Sequence, residues 1–376
     1  MKVSKHAMKP VVLVTGCSGF IGTALCASLR KDYQVVGIDR RAGPPCFDAS
    51  HCGMHFIKTD LLSESATHEA LRSAKSAFGS DLASVVHLAA PYCDHLHRFS
   101  AAAEKLTVDG TRLLLAGIRR NFSNVEQFVF LSSMTVHEPC RPGETINENS
   151  PLETRIGHSR HELRAEKIIL QSSPADSNAI LRIAGVYNSH CRNLSLANQI
   201  ARIFENRLTG HIYPGDLESG QALVYIEDLT DAMRSTITCR DRLPPSVTIL
   251  IGEDETLSYD HLQRLLGYHI HGEADWETAR IPFVVAKVGA WMRVRLSKDM
   301  KPLNSPWITN LAGSHYALDT GKAARLLGWR NRRSIRRILP EIVRFLKANP
   351  RSFYKTNRLD LPPPMDIRSA VGQSGG

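Results

Sequence analysis

Short, almost wholly apolar runs recur along the first half of the chain, at Val11–Val14, Val35–Ile38, Val85–Leu88, Phe128–Leu131 and Ala179–Ile183. Between them lie longer stretches in which apolar residues return every three or four positions: Ile21–Arg30, Glu64–Phe78, Ala101–Arg120 and His158–Gln171. Runs without polar alternation suit strands buried on both faces, and the helical period suits the elements that cover them. Their alternation predicts right-handed β-α-β units and a doubly wound parallel α/β sheet. Beyond Ala184 the pattern loosens. Helices are expected over Leu194–Glu205, Glu227–Thr238, Ser258–Leu266 and Ser334–Lys347, and a strand over Val247–Ile251. Pro214 and Gly215 mark Tyr213–Asp216 as a turn. The expected organisation is a sheet domain over residues 1–183, a smaller irregular α+β domain over 184–350, and a mobile tail over 351–376.

Composition narrows the class. A chain of 376 residues, 43% hydrophobic and 22% charged, can bury a large core and reads as an ordinary globular protein. Val11–Val14 is the first apolar run, too short for a signal peptide or a membrane span. Eight cysteines without disulfide-framework spacing suggest reduced thiols in a cytoplasmic setting. The net charge of +10 suits phosphorylated ligands or an anionic partner. Its densest run, Arg330, Arg332, Arg333, Arg336 and Arg337, lacks the interleaved aromatics that stack on bases, so a solvated helix face is expected rather than nucleic-acid binding. Cys46, His51, Cys52 and His55 fit no ordinary zinc spacing, and Cys93, Asp94, His95 and His97 read as a loop wall, so no metal is expected.

Thr15-Gly16-Cys17-Ser18-Gly19-Phe20-Ile21-Gly22 joins the first strand to the first helix. Gly16 suits the tight turn, Gly19 the approach of a pyrophosphate, and Gly22 close packing of helix on sheet. With Phe20 and Ile21, the amides of that helix start offer free donors and a positive dipole end to phosphates. The second strand ends at Asp39, where an acid accepts from ribose hydroxyls and repels a 2′-phosphate. The first domain is therefore expected to bind a dinucleotide, as in the Rossmann fold. NAD is the expected cofactor, with NADP left open by Arg40 and Arg41, whose guanidinium groups suit a phosphate.

These motifs resemble the extended short-chain dehydrogenase/reductase family, the NAD-dependent epimerase/dehydratase group, over about Pro10 to Lys347. The resemblance rests on the glycine signature, on Asp60-Leu61, on His87-Leu88-Ala89-Ala90, on Leu131-Ser132-Ser133, and on three later landmarks. Those are Leu181–Tyr187, Tyr225–Leu229 and Ala324–Trp329. It implies that Asp60 and Leu61 contact adenine, that Leu88, Ala89 and Ala90 line the cofactor, and that Ser133 orients a substrate hydroxyl or carbonyl. It also implies a sugar-like or nucleotide-linked small-molecule substrate and a homodimer through Ala101–Arg120 and His158–Gln171.

The family's Tyr-x-x-x-Lys pair is absent. Aligned by its helical tail, the segment places His158 at the tyrosine position, 25 residues beyond Ser133, and Glu162 at the lysine position. Thr107 stands where the family usually carries asparagine. Residues four apart share a helix face, so His158 and Glu162 reach one cleft. A carboxylate beside a histidine raises its pKa and can still accept from ribose hydroxyls. Two readings stay open: a His–Glu dyad assisted by Ser133 in a working epimerase, dehydratase or reductase, or a catalytically silent NAD(P)-binding structural or sensory protein. In the second domain, Arg182, Arg192, Arg280, Arg293 and Arg295 are candidates to hold a diphosphate or carboxylate. The segment 291–306, with Trp291, suits a substrate, membrane or partner contact.

Overall fold

The computed structural model describes residues 9–47, 53–89, 101–155, 157–206, 208–281 and 313–362. Its frame is a sheet of seven parallel strands: β1 (Val11–Thr15), β2 (Gln34–Asp39), β3 (Met54–Lys58), β4 (Ser84–His87), β5 (Gln127–Ser133), β6 (Ser177–Ile183) and β7 (Ser246–Ile251). Their order across the sheet is β7-β6-β5-β4-β1-β2-β3. The chain moves outward one way from β1 to β3, then returns to the other side of β1 for β4. The order reverses between β1 and β4, and this is where a doubly wound sheet opens a crevice at the carboxyl ends of its strands.

Alternation along β1 shows why both faces need cover. Val12 and Val14 point into a core shared with Leu25 and Leu29 of α1 (Phe20–Leu29) and with Leu229, Met233 and Ile237 of α7 (Ile226–Thr238). Val11 and Leu13 point to the opposite face, against Leu71 of α2 (Glu64–Phe78), Leu114 and Ile118 of α4 (Gly110–Asn121), and Ile169 of α5 (Gly157–Ser172). Each side chain so buried contributes about 1.5–3 kcal/mol over leaving it in water. This is the doubly wound parallel fold expected from the alternating pattern.

Apart from β7, the strands after Ala184 are short, and a separate core joins the helices there. Leu196 and Ile200 of α6 (Leu194–Phe204), Leu266 and Ile270 of α8 (Tyr259–His271), and Leu339 and Ile342 of α10 (Ile335–Ala348) meet around Trp276. The intervening α9 (Gly321–Leu327) belongs to the sheet core through Ala323 and Leu327.

Three expectations need correction. Tyr213 and Pro214 lie in a short strand, Ile212–Pro214, paired in parallel with Ala279–Ile281; only the Gly215–Asp216 part turns. Helix α8 continues to His271, because Gly267 does not stop it: the Trp276 side chain fills the space where a Cβ would stand. The stretch from residue 351 does not begin as a mobile tail. Pro350 opens α11 (Pro350–Thr356), and Phe353 and Tyr354 are buried in the C-terminal core; residues 363–376 lie outside the described residues. Among the described residues no helix is long and apolar enough to cross a membrane.

Candidate functional site

The crevice between β1 and β4 is floored by the glycine loop. Gly16 has φ +73°, and a Cβ there would stand 2.8 Å from the Leu88 carbonyl carbon, so the first turn and the end of β4 close on each other. A Cβ on Gly22 would stand 2.2 Å from the Gly16 carbonyl oxygen, which seats the first turn of α1 directly on the loop. Among the described residues, a Cβ on Gly19 would meet the Gly16 oxygen at 3.1 Å and a terminal nitrogen of Arg41 at 3.8 Å.

The start of α1 has no side-chain cap and no acidic residue in its first turn. By contrast α2, α6 and α8 are capped by Ser63, Asn193 and Ser258. A helix start left with uncapped amides fits an anionic group, and the pyrophosphate of a dinucleotide is such a group.

Asp39 is buried and already organises this floor. Its Oδ2 accepts from the Ser18 amide at 3.0 Å, and its Oδ1 accepts from the Arg41 amide at 2.9 Å and from Arg41 Nε at 3.5 Å. Oδ2 keeps a lone pair for a further donor. Arg41 is thus tied to Asp39 rather than held out for a 2′-phosphate. Ser18 donates its hydroxyl to the Ala42 carbonyl at 2.8 Å. Asp60 is exposed and turns back to accept from the Leu62 amide at 3.0 Å, Leu61 is buried, and Leu88 and Ala89 are half-buried at the end of β4. Ala90 lies outside the described residues.

Beneath the loop runs a buried chain of hydrogen bonds absent from the sequence reading. Burial lowers the His87 pKa to about 4, so the ring is neutral. Thr111 Oγ1 donates to the Thr107 carbonyl at 2.6 Å and therefore accepts from His87 Nε2 at 3.1 Å. His87 Nδ1 is then left to accept from Thr15 Oγ1 at 2.7 Å. Thr107 sits in a π-helical turn, Lys105–Asp109, between α3 (Ala101–Glu104) and α4. The chain of bonds therefore links the residue before Gly16 to an irregular turn that packs on α5.

Ser133 ends β5, half-buried, with Oγ 2.8 Å from Thr135 Oγ1 and 3.2 Å from the Thr135 amide. The Ser159 hydroxyl donates to the Thr135 carbonyl at 2.6 Å and docks the first turn of α5 beside that same turn of chain. His158 belongs to this helical turn, and its side chain is outside the described set. Glu162 follows one turn later, half-buried.

Four residues that the sequence did not single out as a unit form a buried network behind Ser133. Arg182 on β6 bonds Glu166 on α5 through Nε at 3.1 Å and a terminal nitrogen at 2.6 Å. Ser132 donates to the same carboxylate at 2.6 Å. His137 donates from Nδ1 to the Ser150 carbonyl, so Nε2 accepts from Arg182 at 3.0 Å, and burial with the adjacent guanidinium lowers its pKa. Arg182 thus holds an internal carboxylate and is withdrawn from the candidates for substrate contact. Arg280 is exposed, and Arg293, Arg295 and the 291–306 segment lie outside the described residues, as do His51, Cys52 and Cys93–His97. Part of the basic run is paired: Arg333 with Glu227 and Asp228, and Arg336 with Glu255.

Glu253, just past β7, is 1% exposed and accepts from the Tyr187 hydroxyl at 2.7 Å and the Ile335 amide at 2.8 Å. Burial, with Asp228 nearby, pushes its carboxyl up from 4.5 to about 7. The folded state holds this proton more tightly than the unfolded chain. The associated stability is therefore complete below the unfolded value near 4.5 and is lost as pH rises through about 7. Glu253→Gln keeps an uncharged acceptor for the Ile335 amide, and its amide group meets Tyr187, whose hydroxyl can accept as well as donate. Urea titrations across this range should show the wild type losing on the order of 2 kcal/mol that the variant retains. Parallel curves for the two proteins would refute the assignment.

A family model described as the NAD dependent epimerase/dehydratase family matches residues 12–252. A protein named as an uncharacterized UDP-glucose epimerase, YtcB of Bacillus subtilis (strain 168), is 25% identical over 239 residues, covering 60% of this chain and 72% of that one. MoeE5 in complex with UDP-glucuronic acid and NAD superimposes with a TM-score of 0.64 at 21% identity, covering 90% of this chain and 99% of that one. The Thermus thermophilus UDP-glucose 4-epimerase in complex with NAD does so with a TM-score of 0.64 at 19% identity, with coverages of 90% and 99%. With its glycine loop, its acid at the end of β2 and a family match over the whole sheet, the chain belongs to the NAD dependent epimerase/dehydratase family.

Proposed function

We propose that this chain binds NAD across the carboxyl ends of β1 and β4 and acts on a hydroxyl or carbonyl of a nucleotide-linked sugar, as an epimerase, dehydratase or reductase. The observation that carries the reading is the docking of α5 by the Ser159–Thr135 bond, which sets the turn bearing His158 beside Ser133 at the mouth of the crevice. The UDP-sugars named for the relatives give the substrate class.

Bound there, NAD supplies a hydride acceptor or donor. The amides of Phe20, Ile21 and Gly22 hold its phosphates, with Gly16, Ser18 and Gly19 shaping the loop that brings them close, and Asp39 accepts from the adenosine ribose. Asp60 and Leu61 border the adenine, and Leu88, Ala89 and Ala90 line the path to the nicotinamide. Ser133 orients the reacting oxygen, His158 takes and returns its proton, and Glu162 accepts from the nicotinamide ribose while its charge favours the oxidised, cationic form. A second copy packing on α4 and α5, where Leu170 is 45% exposed, completes the proposal, and light scattering tests it.

His158→Ala is expected to lower turnover of UDP-glucose or UDP-glucuronic acid by about 10²–10⁴-fold, while calorimetry finds NAD affinity nearly unchanged. Unaltered turnover in the variant removes His158 from the chemistry. Tight NAD binding by the wild type, with no turnover across sugar nucleotides, aldehydes and ketones, would replace the enzyme by a silent NAD-binding protein.

A further inference from the structure

We infer that Arg192, presented by a strained turn from the C-terminal part of the chain, clamps the diphosphate of the dinucleotide at the start of α1; this rests on the cofactor site proposed above. The Arg192 guanidinium carbon lies 4.7 Å from the centroid of the Phe20 ring. Phe20 is the first residue of α1, directly after Gly19, so the cation lies over the side chain that opens the uncapped helix.

The guanidinium borders the start of α1 through that side chain, and among the described residues Arg192 has no ion pair. A guanidinium beside a helix start is disfavoured by the helix dipole unless an anion lies between them. The face of Phe20 gives the cation an apolar resting place, and a phosphate at the helix start gives both positive groups their counter-charge.

The backbone supplies an independent indication. Cys191 and Arg192 have φ of +73° and +41°, two successive non-glycine residues in the left-handed region. Each such residue is strained and persists only where its surroundings impose it. Here they do. Asn188 and Cys191 exchange backbone hydrogen bonds of 3.0 and 2.8 Å. The Asn193 side chain donates to the Val186 carbonyl at 3.2 Å and caps α6 through the Leu196 amide.

From beyond α11, Asn357 donates to the His190 carbonyl at 3.0 Å, and the His190 ring stands edge-on to Phe345 of α10 at 4.3 Å. Cys191 is buried while Arg192 is exposed. The turn is locked on every side except the one that carries the guanidinium toward the cofactor loop. The same chemistry would suit the diphosphate of a nucleotide-linked substrate; the position over Phe20, inside the cofactor loop, favours the dinucleotide.

The test is calorimetry on the full chain with NAD, ADP-ribose and UDP-glucose as probes. Arg192→Gln should weaken NAD and ADP-ribose alike, by about tenfold, since both carry the diphosphate, and Arg192→Lys should recover part of the loss. Arg192→Gly should weaken NAD as much as the glutamine variant while raising the melting temperature of the ligand-free protein, because glycine accepts the left-handed backbone without strain. A merely structural arginine would not separate affinity from stability in this way. NAD affinity within twofold of the wild type in Arg192→Gln overturns the clamp, and so does a loss confined to UDP-glucose, which would assign the arginine to the substrate. Absence of NAD binding by the wild type overturns the cofactor site itself, a result readily told apart from unaffected variants of a binding protein.

Discussion

Arg182→Ala is expected to cost about 3–5 kcal/mol of stability in urea unfolding, more than any change in the surface ion pairs of this chain. The guanidinium lies inside the sheet domain, 6% exposed, against a carboxylate on Glu166 that is 4% exposed. Removing it leaves Glu166 with only the Ser132 hydroxyl to compensate its charge and takes the donor from His137 Nε2. An isolated buried charge retains its desolvation penalty without the partner's field. The double variant Glu166→Leu with Arg182→Met removes both charges at similar volume. It should be far closer to wild type than the two single changes added together, because well-packed apolar pairs replace buried ion pairs at little cost. A single-variant loss under about 1 kcal/mol would mean that water or other groups already satisfy the carboxylate, and would sink the account. The pair also fastens α5 to β6 behind Ser133, so the same variant should loosen the helix turn that bears His158 and lower turnover beyond its effect on the folded fraction.

How much of this was legible in the sequence depends on how local its cause is. Helix α2 was legible to the residue, since Ser63 caps it through the Ala66 amide at 3.3 Å and Gly79 ends it with φ +92°. Six of the seven strands were legible because burial on both faces leaves a plain apolar run, whereas β3, half-buried at the sheet edge, leaves none. The glycine loop was legible because its turn geometry and the contact of Gly22 with the Gly16 carbonyl are local, although the approach of Leu88 to Gly16 is not. What depended on distant partners was not. Glu166 and Arg182 lie on different elements, and nothing in either segment marks them as a pair. Glu253 sits in an acidic-looking stretch, Gly252-Glu253-Asp254-Glu255, that reads as solvent loop, yet the Tyr187 hydroxyl and the start of α10 bury it. The π-turn at Thr107 and the left-handed Arg192 are imposed from outside their own segments, so propensity carries no trace of them. Helix α11 was obscured by the basic and proline-flanked chain around Phe353 and Tyr354, whose burial depends on α6 and α10.

Gly22→Ala is expected to abolish measurable NAD binding, or weaken it by about a hundredfold or more, although it adds a single methyl group. Gly22 has an ordinary helical backbone, so the effect is one of space alone. The methyl carbon would stand 2.2 Å from the Gly16 carbonyl oxygen and 2.8 Å from the Cys17 Cα, both of them backbone atoms. Neither can rotate aside as a side chain would. Relief requires a shift of roughly an ångström between α1 and the loop, and overpacking of this kind costs typically 1–3 kcal/mol of fold stability. The loss of affinity is larger in proportion, because the parts forced apart are those whose amides must converge on one diphosphate. A hundredfold loss corresponds to about 2.7 kcal/mol, within reach of two or three weakened charge-assisted hydrogen bonds. Thr23→Ala, one residue on, removes only a 3.3 Å hydroxyl contact to the Cys17 carbonyl and should leave NAD affinity within a few fold, which controls for general damage to α1. Calorimetry with NAD on both variants, at temperatures where circular dichroism finds each folded, decides the matter. A folded Gly22→Ala protein that binds NAD as the wild type does would mean that the loop and α1 are not the cofactor's seat.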